Sequence, residues 1–477
     1  MTDWVDAPWL WSARWLFTRG LAIVCVLAFV NARNQFSALL GERGLMPAPV
    51  FLERVGWRTA PSLFQLRYSD RLLRVTAWIG AALSAGVIVG VVQSGPAWLP
   101  LLVWLTIYAL YLSIVNIGQR FYSFGWESLL LEAAFLAAFL GPDAAAPPIV
   151  IMVALWWLLF RIEWGAGLIK IRGDRCWRDL TCLYYHHETQ PMPNGLSSWF
   201  HLLPKSIHKV EVAANHVVQL VMPLLLIVPQ PIRGVAAATM VISQGWLIVS
   251  GNFAWLNTVT LLLALTAVWP GVLDVVAPGP PQQLDALPLW YDVVVLLVGL
   301  GMLVLAWKPL RNMLSRTQAM NAGFNSFHLG NTYGAFGSIT RRRAEVVIEG
   351  TSDPHPGPDS EWLEYEFKGK PGDPSRRPPF VAPYHLRLDW LMWFVALSPG
   401  YGRGWFTPLL NRLLQADTHT LALLGHDPFD GGPPTAVRAR IYHYRFTSAD
   451  ERRRTGNWWV RTLRGDLTGI CVAPGNS

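Results

Sequence analysis

The chain has few charged residues and few cysteines for its length. Only 15% of its 477 residues are charged and 52% are hydrophobic, whereas soluble domains average about 25% charged residues. Four cysteines in so long a chain do not form the disulfide framework of a small secreted domain. The composition therefore points to a protein that is not soluble throughout.

The sequence also lacks the motifs that mark common catalytic and nucleotide-binding sites. It contains no Walker motif, no Rossmann fingerprint and no Gly-x-Ser-x-Gly elbow. The net charge of +8 could indicate nucleic-acid binding, but the basic residues are scattered and match no zinc-finger or RNA-binding pattern. Attraction to anionic lipid headgroups explains the excess more simply. We therefore expect membrane lipids as partners, no nucleic acid, and no cofactor.

Long apolar segments fill the first two thirds of the chain and end at Trp307. A membrane span requires about 20 mostly apolar residues, because hydrocarbon cannot satisfy exposed backbone polar groups. The predicted fold is a multi-pass α-helical membrane bundle of about 8–9 such spans. The fourth segment is short, so a re-entrant helix is the alternative to a full crossing. The nine candidate segments are residues 15–40, 72–93, 97–118, 126–141, 147–170, 212–229, 233–251, 253–270 and 290–307.

The sequence predicts a membrane domain over residues 1–310 and a soluble, β-rich domain over residues 311–477. Residues 345–349 contain three consecutive β-branched residues, and residues 436–446 alternate apolar residues with arginine. Clusters of glycine, proline, aspartate and serine separate these runs. We predict a β-sandwich-like architecture with one helix over residues 407–424.

Ionisable residues within the apolar segments need a partner or a role. Each costs about 2.5–3.5 kcal/mol at the centre of a membrane helix on insertion scales. An ion pair between Glu132 and Arg161 that fixes helix packing is the preferred interpretation, and a buried functional site is the alternative. The four candidates are Glu127, Glu132, Arg161 and Glu163.

The connection 171–211 is too rich in aromatic residues, histidine and cysteine to be a slack linker, and long loops are often functional. A zinc site of Cys176, Cys182, His186 and Glu188 fits the usual ligand spacing poorly. A redox pair of the two cysteines lacks the Cys-x-x-Cys spacing, and whether they are bridged stays open. A compact interfacial loop is the preferred interpretation, without a metal or catalytic residues. Its candidate functional residues are Asp174, Cys176, Trp177, Arg178, Asp179, Cys182, Tyr185, His186, His187 and Glu188.

Within this loop, residues 173–182 (GDRCWRDLTC) and 184–191 (YYHHETQP) resemble the signature of the lipase maturation factor family. The resemblance extends along most of the chain in long and unusual blocks. The further blocks are residues 124–132, 160–170, 250–257, 331–340, 370–378, 383–393 and 437–446.

The resemblance implies a membrane-integral, chaperone-like factor that assists the folding, maturation and assembly of exported lipases or related secreted proteins. Animal members of the family reside in the endoplasmic-reticulum membrane, and a bacterial member would lie in the inner membrane. On this hypothesis the 171–211 loop and the tail form the client-facing surface, and the protein is not an enzyme. The alternative is a membrane-embedded enzyme that acts on a lipidic substrate. It would use Glu132, Arg161, Asp174, His186, His187 and Glu188.

Overall fold

The first two thirds of the protein form a helical bundle. A computed structural model describes residues 6–320 and 325–472. Within these residues, seven helical segments are long and apolar enough to cross a membrane: Pro8–Leu40, Asp70–Ile88, Trp98–Asn116, Ile149–Arg172, Lys205–Ile227, Ile232–Ser250 and Leu289–Leu314. The α-helices of this region are α1 (Trp11–Leu40), α2 (Ala48–Leu52), α3 (Asp70–Ile88), α4 (Trp98–Asn116), α5 (Gly125–Ala137), α6 (Ile149–Arg172), α7 (Arg175–Arg178), α8 (Leu183–Thr189), α9 (Ser197–His201), α10 (Lys205–His216), α11 (Ile232–Ser250), α12 (Leu256–Leu265), α13 (Pro270–Leu273), α14 (Leu289–Leu305) and α15 (Trp307–Leu314).

The prediction of a membrane bundle is confirmed, although two of the nine predicted segments form helices shorter than a full membrane span. Segment 126–141 forms α5, with 13 residues, and segment 253–270 forms α12, with 10 residues. Such helices are about 20 Å and 15 Å long, so flanking residues must complete a passage through a hydrocarbon layer about 30 Å thick. The residues on either side of α12 lie at opposite ends of the bundle, since Asn252 donates to the carbonyl oxygen of Pro193 in the 171–211 loop and Ala267 accepts from Gln230, which precedes α11. Nearly every residue of α5 is buried. Its apolar side chains therefore contact other parts of the protein.

The polar residues of the first helix lie at contacts with distant parts of the chain. At its start, Arg19 forms an ion pair with Asp143, and Arg14 donates to the carbonyl oxygen of Ala145 at 2.9 Å. Near its end, the buried side chains of Asn31 and Gln35 donate to the carbonyl oxygen of His385 at 2.6 Å and 2.8 Å. The helix is thus fixed at both ends by hydrogen bonds as well as by its apolar packing against α3.

The tail contains an antiparallel sheet, as predicted, and the predicted strands are found. The strands are β1 (Arg343–Thr351), β2 (Leu363–Phe367), β3 (Leu424–His426), β4 (Ala436–Phe446), β5 (Trp459–Asp466) and β6 (Cys471–Val472), and the helices are α16 (Arg387–Leu397), α17 (Phe406–Leu414), α18 (Thr418–Leu421) and α19 (Ala449–Thr455). The strand order in the sheet is β3-β2-β1-β4-β5, and β6 pairs with β4. Val346 of β1 lies opposite Ile441 of β4, and β1 is almost wholly buried because α16 packs against it.

Two details of the tail differ from the prediction. Within residues 325–472 the strands form one sheet and not a sandwich, because helices α16 and α17 pack on β1 and β4 where a second sheet was expected. The single helix predicted over residues 407–424 is two helices. The chain turns at Ala416, which has a φ of 48°, and the Asp417 side chain caps α18 by accepting from the Thr420 amide.

Candidate functional site

The first polar site inside the bundle is the ion pair that the sequence predicted. Glu132 of α5 and Arg161 of α6 are fully buried and paired. Arg161 also donates to the carbonyl oxygen of Asn331 at 2.8 Å. Glu132 accepts from the amide of Gly330 at 3.1 Å and from the hydroxyl of Tyr333 at 3.0 Å. The pair therefore also holds segment 330–333, which leads into the tail domain, inside the bundle.

A second buried pair joins the bundle to the tail domain directly. Glu127 of α5 accepts from Arg387 of α16 at 2.7 Å, and both side chains are fully buried. Arg387 donates in addition to the side chain of Asn31 at 2.9 Å and to the carbonyl oxygen of Phe121 at 2.8 Å. The hydroxyl of Tyr111 donates to the second carboxylate oxygen of Glu127. Sequence analysis singled out Glu127 but missed its partner, because Arg387 lies far along the chain in the tail.

Glu163, the last of the intramembrane candidates, links three helical segments of the bundle. Its carboxylate accepts from Gln244 of α11 at 2.6 Å and from Gln219 at 3.2 Å. The Lys170 amine donates to the side-chain oxygens of Gln219 at 2.8 Å and Asn215 at 2.9 Å. These contacts pair the buried carboxylate and the buried amine with neighbouring side-chain amides, which fits a packing role.

The 174–190 loop begins with a disulfide-closed turn. Cys176 and Cys182 are bonded to each other, so they offer no thiolates for the zinc site considered from the sequence. Asp174 caps α7 by accepting from the Cys176 amide at 3.0 Å. Arg341 donates to Asp174 at 2.8 Å, and this contact holds the pKa of Asp174 below its usual range. The turn is therefore tied to the segment that precedes β1.

The same loop makes further contacts with the tail. The indole of Trp177 is buried and donates to the carbonyl oxygen of Phe336 at 2.9 Å. Glu188 accepts from the amide of Phe446 at 2.8 Å, and burial raises the pKa of Glu188. Arg343 of β1 donates to the carbonyl oxygen of Glu188 at 2.9 Å. These bonds make the loop the junction between the bundle and the sheet.

Most of the predicted loop residues are thus inside the protein. His186 is buried against Phe253 and Phe336, and burial lowers its pKa to about 3, so it is neutral at pH 7. His187 is also buried. Tyr185 is half-buried beneath Arg341. Two of the ten candidates are exposed, Arg178 and Asp179.

The residues of the enzyme alternative are engaged in separate structural contacts. Glu132 and Arg161 are enclosed by segment 330–333, and Asp174 is bound to Arg341. A cavity of about 380 Å³ lies beside Glu188, and none of the other five residues lines it. Its remaining wall includes three arginines and comes from the sheet and the residue that precedes it. It consists of Arg342, His443, Tyr444, Arg445, Val460, Thr462 and Arg464.

The long apolar helices and the docked sheet define a multi-pass integral membrane protein with a β-rich domain fixed to its helical bundle. The model of the lipase maturation factor transmembrane domain matches residues 12–273, and that of the lipase maturation factor C-terminal domain matches residues 329–469. The chain belongs to the lipase maturation factor family, which confirms the resemblance read from its motifs.

Individual relatives match nearly the whole chain. Lipase maturation factor 1 of Homo sapiens is 40% identical over 95% of this chain and 87% of its own length. The Mus musculus protein of the same name is 38% identical over 95% and 86%. Lipase maturation factor 2 of Homo sapiens is 29% identical over 94% and 81%. These relatives are named as maturation factors and not as enzymes. No solved structure matches the chain.

Proposed function

We propose that this protein is a membrane-integral, chaperone-like factor that helps exported lipases or related secreted proteins to fold and assemble, without covalent chemistry. The observation that carries the proposal is the family match across both the membrane domain and the tail domain. Its relatives are named for lipase maturation, so lipases are the first clients to test. The separate structural engagement of Glu132, Arg161, Asp174 and Glu188 supports a role without catalysis.

The client-facing surface, on this proposal, is the exposed part of the loop together with the sheet domain beside it. Arg178 and Asp179 are the exposed members of the predicted loop set. Trp362 and Trp458 of the tail are half-buried and have arginine guanidinium groups over their rings. Tryptophan and arginine are enriched at protein–protein interfaces, which supports this choice of surface.

We place the tail domain and the 171–211 loop on the translocated side of the membrane. This is the lumen of the endoplasmic reticulum, or the periplasm if the source is bacterial. The Cys176–Cys182 disulfide supports this orientation, because such bonds persist in oxidising compartments. Lys308 and Arg311, which follow the last long apolar helix, favour the cytoplasm by the positive-inside rule. The disulfide is a stronger indication of the compartment than this statistical charge bias, so we keep the translocated orientation.

A reporter fusion decides the orientation. A phosphatase fused after residue 477 is expected to be active, because this enzyme folds only where disulfides form. A fluorescent protein that matures only in the cytoplasm is expected to stay dark at the same position. The opposite pair of results would refute contact between the tail and exported clients.

Lipase maturation is the functional test. In a host that lacks the gene, a co-expressed secreted lipase is expected to have lower specific activity per unit of secreted mass, and the wild-type gene should restore it. The double variant Arg178→Ala/Asp179→Ala should restore less activity at equal expression. Glu53→Ala/Arg54→Ala is the matched control, because this pair is also exposed but lies outside the proposed surface. Full lipase activity without the gene would contradict the proposal.

A further inference from the structure

One group of side chains in the junction has no role in the contacts described above. His187 of α8 faces His208 and Glu211 of α10, and one ligand atom from each residue lies within 4.8 Å of the others. His208 and Glu211 are three residues apart, so they lie on one face of α10. The group lies where the loop meets the helical segment Lys205–Ile227. Within the described residues, the two helices thus bring two imidazoles and one carboxylate together.

The His187 ring is buried, yet it has no polar partner. His187 is 3% exposed, and neither of its ring nitrogens has a hydrogen-bond partner among the described residues. The ring stacks on Phe200 with centroids 5.5 Å apart. Buried polar atoms are nearly always bonded, so an imidazole directed at a second imidazole and a carboxylate points to a ligand.

The hydrogen bonds of His208 and Glu211 are compatible with a metal site. The Nε2 atom of His208 lies 3.4 Å from the carbonyl oxygen of His201, which leaves Nδ1 directed at the Oε2 atom of Glu211 at 2.8 Å. The other carboxylate oxygen of Glu211 accepts from the indole of Trp246 at 2.9 Å. Metal-binding histidines typically donate their second nitrogen to a backbone carbonyl, and ligating carboxylates are themselves hydrogen-bonded.

We propose that His187, His208 and Glu211 bind a divalent transition-metal ion of the Zn²⁺ class. Two imidazoles and a carboxylate are a known ligand set for zinc, which binds them at about 2.0–2.2 Å. Tetrahedral bonds of this length put the ligand atoms roughly 3.4 Å apart, so the side chains need to move by no more than about 1 Å each. Three protein ligands leave one coordination position open to an external ligand. The bound ion would join α8 of the loop to α10.

The experiment uses full-length, tag-free protein in detergent after treatment with a chelator. Titration with Co²⁺, which replaces Zn²⁺ and absorbs visible light when tetrahedral, is expected to saturate at one equivalent. Elemental analysis after Zn²⁺ loading and desalting should give the same stoichiometry. His187→Gln, His208→Gln and Glu211→Gln should each weaken binding by at least about tenfold.

His186→Gln is the matched control, because His186 is the neighbouring buried histidine but packs on Phe253 and Phe336. It should bind Co²⁺ as the wild type does. Glu211→Gln changes the size of its side chain least, so it serves if a histidine variant does not fold. The proposal is overturned if the wild type binds no stoichiometric metal. It is also overturned if Glu211→Gln binds like the wild type, or if His186→Gln loses as much affinity as His187→Gln.

Discussion

Replacement of Arg387 by methionine should detach the tail domain from the bundle. The substitution keeps an apolar chain of similar length but removes the donors to Glu127, Asn31 and the Phe121 carbonyl. Glu127 would keep the hydrogen bond from Tyr111 and the contact with His385 at 3.5 Å, but it would lose its arginine counter-ion in a fully buried site. Such a broken pair costs about 3–5 kcal/mol. The total stability of a protein is only about 5–15 kcal/mol, so the loss is severe.

The assay is unfolding of the purified protein by increasing SDS, followed by tryptophan fluorescence, with limited proteolysis between the bundle and the tail. Arg387→Met should unfold at lower SDS and release the tail as a fragment. The double variant Glu127→Gln/Arg387→Met should recover much of the loss, because no buried charge stays unpaired. Arg453→Met, at an exposed pair, should change stability by no more than about 1 kcal/mol. A single variant as stable as the wild type, or a double variant no more stable than the single, would refute this role of the Glu127–Arg387 pair.

Three further outcomes follow from other sites. Arg161→Leu should lower stability by about 3–5 kcal/mol and abolish fold and lipase maturation together, whereas loss of maturation in a well-folded variant would contradict the packing role. In denaturant, maleimide should modify Cys25 and Cys471 before reduction but Cys176 and Cys182 only after it. Cys176→Ser should cost about 2 kcal/mol in unfolding assays. Burial raises the pKa of Asp389 from 3.8 to about 6. Ionisation of this carboxyl group therefore disfavours the folded state. The free energy of unfolding should fall by about 3 kcal/mol in all as pH rises from about 4 to about 6. Asp389→Asn should lack this pH-dependent part of the stability. Denaturant titrations at several pH values that give the wild type and the variant identical profiles would refute the prediction.

The sequence was sufficient for the local elements of the fold but not for their long-range contacts. The alternation of residues 436–446 predicted β4 correctly because strand periodicity is local. The same periodicity does not say whether a sheet or a helix covers β1, so the expected sandwich was wrong. Hydropathy identified the α5 and α12 segments but not how short and how enclosed their helices are, because apolar residues look alike in sequence whether they face lipid or protein.

The candidate site shows the same division. The Glu132–Arg161 pair could be predicted because two buried charges of opposite sign lay in neighbouring apolar segments. The partner of Glu127 could not, since Arg387 lies in a segment with no membrane signal. His208 and Glu211 have three-residue spacing on one helix, which is a usable signal. Only the fold, however, brings His187 to them.

The position of Arg387 in the sequence also determines when its ion pair with Glu127 can form during synthesis. The ribosome makes α5, with Glu127, some 260 residues before it makes Arg387. Until α16 emerges and docks, a nascent bundle holds an acidic side chain that has no counter-ion. A chain terminated anywhere before α16 would keep that defect permanently. Cellular quality control could therefore distinguish finished from unfinished copies by the bundle alone.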